Sequence, residues 1–255
     1  MTVLTRLWDH VSASQPAPPA WVVGVTALAA LLLVLNTAAW RLAGKVITIA
    51  HEGGHALVSV LSGRRLEGIR LHADSSGVTY SRGKRRGPGL VLTAAAGYLT
   101  PSLLGAGAAA LLAARHPVAL LWLALVLLAV TFLAVRNVFG ALAVLVTAGG
   151  VFAVSYYASA AVQAGFAYLA AWFLLLGGMR PALELTRRRY ARAGAGVRSG
   201  SGSRSGPGAG SGSGSGLTDA DQLARLTGLP RGFWVTAFIL VATAALALGA
   251  RLLIP

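Results

Sequence analysis

Apolar positions in this chain fall into long unbroken blocks, with little of the two- or four-residue alternation that marks a water-facing surface. Blocks near 21–40, 45–62, 88–114, 117–135, 137–156, 158–178 and 232–253 each approach the roughly 18 to 20 residues that cross about 30 Å of hydrocarbon. They predict an all-α polytopic membrane protein with about seven transmembrane helices. Six or eight crossings stay open, because only Arg115, His116, Pro117, Arg136 and a few small residues punctuate residues 114–178. The first block starts after "QPAPPA" and is too long for a signal-peptide core, so it is expected to remain as an anchor.

One stretch departs from the block pattern by alternating. "LEGIRLH" and "GVTYSRG", joined by "ADSS", read as a short β-hairpin after the second block. A hairpin edge can hold an extended peptide by strand addition, with Gly77, Val78 and Thr79 as the candidate contacts. It can equally be a plain surface link between two spans. Between Arg187 and Gly216 the chain turns to Gly, Ser and Arg, a composition unable to bury a core. The expected organisation is a membrane core over 1–186, a flexible cytoplasmic linker over 187–216, and a tail over 217–255 with a short amphipathic helix and a final span.

Composition agrees with a bilayer setting: 56% of the 255 residues are hydrophobic and 11% charged. No cysteine is present, which excludes disulfides, thiolate metal sites and cysteine nucleophiles. The formal charge of +15 sits mostly in two loops beside spans, 64–86 and 180–204, without interleaved aromatics for base stacking. The positive-inside rule accounts for it, so the bilayer is the expected partner and nucleic acid is not. Seven spans with both loops in the cytoplasm put the N-terminus inside and the C-terminus outside, and leave Arg41 and Lys45 on the outer side. Abundant Arg, Ala, Gly and Leu suggest a GC-rich bacterium and its plasma membrane.

The second block is interrupted by "HEGGH", His51 to His55. Ionisable groups at membrane depth are costly and are seldom left without a partner. On a helix, His51 and His55 share a face with Glu52 beside them, the spacing with which two imidazoles grip Zn2+ while a carboxylate handles water. With five His among 255 residues, this match is expected by chance in about one such chain in a thousand. Seven residues separate His55 from Ser62, about 10 Å of helix, which places the site below the cytoplasmic surface.

"HEGGHALVSVLSG" followed by "LEGIRLHADSSGVTYSRG" and further spans resembles the site-2 protease group of intramembrane zinc metalloproteases, in its compact bacterial branch. The resemblance implies zinc held by His51 and His55, Glu52 as general base, and a membrane protein substrate such as a membrane-anchored regulator. In that group a third zinc ligand comes from an Asp in an "LDG" motif preceded by Asn. Here "RNVFGALAVLVTAGG" offers Asn137 but no Asp. Asn137 is either a substrate-positioning amide or a helix cap. Of the seven acidic residues, Asp219 is the first candidate for third ligand and Asp221 the second, with His72 or Asp74 behind them. Thr218, Asp219 and Asp221 also fit a capped helix start. Two other classes stay open: a zinc-binding pseudoprotease that retains membrane clients without cleaving them, and a small metal or proton transporter.

Overall fold

The computed structural model describes Thr5, residues 11–198 and residues 218–254. Its elements run α1 (Ala20–Leu35), α2 (Thr37–Leu61), β1 (Arg65–Leu71), β2 (Gly77–Arg82), α3 (Pro88–Ala113), α4 (Pro117–Ala134), α5 (Val138–Tyr157), α6 (Ala160–Arg198), α7 (Asp219–Thr227) and α8 (Arg231–Leu253). This is the expected all-α membrane architecture with one antiparallel hairpin after the HEGGH helix. Helix α6 continues to Arg198, into the stretch expected as linker; residues 199–217 lie outside the described residues.

The expected count of seven spans is not reached. Among the described residues, α3, α4, α5, α6 and α8 are long and apolar enough to cross a membrane, and α1 with α2 qualify only as a pair bent by 102°. Alone, α1 has 16 residues, and α2 carries the polar motif that dilutes its hydropathy. The break is chemical. Asn36 accepts hydrogen bonds from the Ala38 and Ala39 N–H groups through Oδ1, both at 2.9 Å, and so starts a new helix. Arg180 closes the old one, donating to the Val34 carbonyl and lying over the Trp40 ring at 4.5 Å.

Counted as one span, the bent pair brings the number of candidate crossings to six. At one end the Gln15 amide meets Gln163 at 3.3 Å and the Gln15 N–H donates to the Arg115 carbonyl at 2.9 Å. At the other end of α1, Val34 has reached Arg180. Helix α1 therefore runs beside α6, and α2 ends at Ser62, which packs against Gly89 at the start of α3. Lys45 belongs to the hairpin side, donating to the Ala73 carbonyl at 2.8 Å.

Helix α3 is the hub. Its buried Ala94, Ala95, Gly97, Ser102, Gly105 and Ala108 let neighbouring helices come close, as small residues do where hydrocarbon gives no hydrophobic drive to association. Gly105 touches the Leu175 backbone of α6. A separate buried cluster joins Ala94 and Ala95 to Ala182, Leu185, Ala220, Leu223, Val235 and Phe238. The expected tail is thus packed onto the core, and α7 is pressed against the helix that faces α2.

Candidate metal centre

Four-residue spacing on α2 brings the two imidazoles together, with His51 Nε2 and His55 Nε2 3.2 Å apart. Asp219 Oδ2 completes a triangle, 3.2 Å from His51 Nε2 and 3.1 Å from His55 Nε2. His55 Nδ1 lies 2.6 Å from the Thr93 carbonyl, which can only accept, so Nδ1 carries a proton and Nε2 is the nitrogen turned toward Asp219. With both imidazoles neutral, as metal ligands are, three lone-pair donors this close repel one another unless a cation lies among them. Tetrahedral zinc with Zn–N near 2.0 to 2.1 Å requires ligand atoms about 3.3 Å apart. The donor set fits zinc in chemistry and in spacing.

Asp219 arrives through local chemistry at the start of α7. Thr218 and Asp221 form a reciprocal capping box, and Asp221 also pairs with Arg231 at 3.2 Å. Capping thus occupies Asp221 and leaves Asp219, two residues earlier, turned inward. Ala220 and Leu223, both fully buried, dock the helix. Burial by itself would raise the Asp219 carboxyl, but without an ion, hydrogen bonds from protonated His51 and His55 outweigh it and hold the group well below the usual carboxylate range. Asp74 accepts from the Ser76 N–H and hydroxyl, at 3.0 and 2.6 Å. Those bonds lower its pKa. Asp221, His72 and Asp74 do not join the cluster, which among the described residues consists of His51, His55 and Asp219.

Glu52 is 4% exposed and is held by the hairpin. The Thr79 hydroxyl lies 2.7 Å from Glu52 Oε2, and Gly77 leaves room for the carboxylate, since a Cβ there would stand 2.7 Å from Oε1. The structure thus brings Gly77 and Thr79 onto Glu52, with Val78 exposed between them in the lining of the cleft. A cleft of ≈ 950 Å3 opens over His51, Glu52, His55, Tyr98 and Asp219, with residues 77–81 as one wall. Strand β1 pairs with β2 on one side and meets Val135 on the other. Among the described residues nothing pairs with the second edge of β2.

The Peptidase M50B-like family model matches residues 24–249, which include the HEGGH helix, the hairpin, α7 and nearly all of α8. The chain belongs to this family. No curated protein and no solved structure matches it. Membership makes the chain, at the level of the family, a site-2-protease-like membrane metallopeptidase.

In this M50B-like chain Asn137 neither caps α5 nor faces the cleft. Its Oδ1 accepts from the Leu71 N–H at 3.1 Å and its Nδ2 donates to the Leu71 carbonyl at 2.7 Å, with no side-chain cap bond on α5. The amide extends the hairpin ladder by one rung. Asn137→Ala is expected to destabilise the protein by about 1 to 3 kcal/mol, the cost of leaving buried backbone groups unpaired, read as a lower thermal midpoint in detergent. An unchanged midpoint would count against this role.

Two residues of the site have no sequence signal of their own. Gly97 sits under both Nε2 atoms, where any Cβ would overlap them, yet in sequence it is one more small residue of a packing helix. Tyr98 stands edge-on to His51 at 4.8 Å and stacks on Phe238 of α8 at 4.9 Å. Only the fold reveals that neighbour.

Proposed function

We propose that this protein is an intramembrane zinc metalloprotease that hydrolyses peptide bonds in membrane-embedded or membrane-proximal segments of other membrane proteins, such as a membrane-anchored regulator. The observation that carries the reading is the triangle of His51, His55 and Asp219 with Glu52 beside it. When bound, zinc supplies Lewis acidity, which makes water a usable nucleophile near neutral pH and polarises a peptide carbonyl. His51, His55 and Asp219 hold the ion. Glu52 takes a proton from the attacking water and returns it to the leaving amine, the two-way transfer expected of a buried carboxylate in such a site. Thr79 fixes the carboxylate on the cleft side through its hydroxyl.

A substrate helix has its backbone bonds satisfied internally, so it must be unwound before it can be cut. The open edge of β2, backed by Gly77, Val78 and Thr79, offers backbone partners to an unwound strand. The basic hairpin side faces the cytoplasm of a bacterial plasma membrane by the positive-inside rule. With the bent pair as one crossing there are six, an even number, and both termini lie on the outer face.

Purified full-length protein in vesicles, with a transmembrane reporter, tests the reading. About one zinc per chain is expected in the wild type and much less in Asp219→Ala, while Asp221→Ala keeps its metal. Cleavage should stop on chelation and return with zinc. Wild-type protein that holds no zinc after refilling, or cleavage that survives its complete removal, would refute it.

A further inference from the structure

Away from the metal centre, a second cavity of ≈ 320 Å3 lies on the hairpin side, lined by Glu67, Gly68, Arg70, Tyr80 and Arg136. Its depth is set by the chain. Arg136 occupies the turn between α4 and α5, two helices long and apolar enough to span, so the turn marks the membrane surface. Strand β1 is fastened at that level: Ile69 bridges to Val135, and the Arg136 N–H donates to the Ile69 carbonyl at 2.9 Å.

Arg136 is built into the place. Nη1 donates to the Leu133 carbonyl at 2.9 Å, and the stem crosses β1 where Gly68 has no Cβ, at a bulge in the hairpin register. Arg70 approaches from β1 with its guanidinium 5.9 Å from the Tyr80 ring. Glu67 is already answered by Arg82 at 2.5 Å. Two guanidiniums therefore face the cavity, and neither has an acidic partner among the described residues. Leu133 and Val138 flank Arg136 and are 73% and 87% exposed, as side chains that contact acyl chains are.

We infer that this cavity binds the phosphate of an acidic phospholipid, with Arg70 and Arg136 as the fork and the acyl chains lying along Leu133 and Val138. Guanidinium suits phosphate because its paired N–H donors match two oxygens at once. The apolar flank is what favours a lipid over a free anion. A headgroup seated there ties β1 to the bilayer surface and, through the ladder, steadies the strand that holds Glu52.

The test is native mass spectrometry of the full-length protein released from nanodiscs holding phosphatidylglycerol and phosphatidylcholine in equal amounts. Neither metal nor proteolysis enters the readout. Wild type should retain phosphatidylglycerol preferentially. Arg70→Gln and Arg136→Gln should each weaken that preference about fivefold, the typical share of one arginine at a membrane surface. Arg70 is exposed, so its loss should leave packing intact and misfolding would not explain the result. Arg85→Gln with Arg86→Gln removes twice the charge of either single variant and should leave the preference unchanged. Equal losses in that pair would overturn the site in favour of diffuse attraction. Retention unaltered in Arg70→Gln, or displacement of the lipid by millimolar inorganic phosphate, would overturn it as well.

Discussion

Gly97→Ala should empty the metal centre without unfolding the protein. The added methyl would occupy the space of His51 Nε2 and His55 Nε2, and neither ring can retreat. His55 is anchored to the Thr93 carbonyl by Nδ1, and His51 is backed by Tyr98. Intrinsic propensity works in the opposite direction, since alanine in a helix interior is favoured over glycine by about 1 kcal/mol. A loss of metal could therefore not be put down to a weakened α3. Zinc affinity should fall by about 100-fold or more, at the upper end of what disturbing the support of metal ligands costs. Gly107→Ala, in the same helix with open space around it, should bind zinc like the wild type. Comparable zinc in both variants would show that the two Nε2 atoms do not hold the ion at this place.

Glu52→Gln should remove cleavage while sparing the metal. Glutamine keeps the size of the side chain and can still accept from Thr79, but it cannot take a proton from water. General acid–base groups typically contribute about 100- to 10,000-fold, so turnover of a transmembrane reporter should drop by about a thousandfold with about one zinc per chain retained. Glu52 is not a corner of the triangle, and this separates its loss from the loss of a ligand. Zinc-loaded Glu52→Gln that cleaves at the wild-type rate would remove Glu52 from the mechanism. Wild-type protein that binds zinc and client yet never cleaves would favour a retaining pseudoprotease.

The sequence by itself determined what depends on residues near one another along the chain. Runs of apolar residues marked α3, α4, α5, α6 and α8 as spans because crossing hydrocarbon is a demand on consecutive side chains. Alternation marked the hairpin for a similar reason, and the four-residue spacing of His51 and His55 placed both rings on one helical face. Tertiary structure alone decided the rest. Asp219 and Asp221 are chemically identical and both lie in the first turn of a short helix, and only the docking of Ala220 and Leu223 turned one toward the imidazoles and left the other to cap. Asn137 was compatible with a cap or a substrate contact until Leu71 arrived from 66 positions away. The count of candidate spans depended on a 102° bend beside which Arg180, far along the chain, donates to the Val34 carbonyl. Each of these outcomes depends on which distant atoms meet, and local propensity is blind to distance through space.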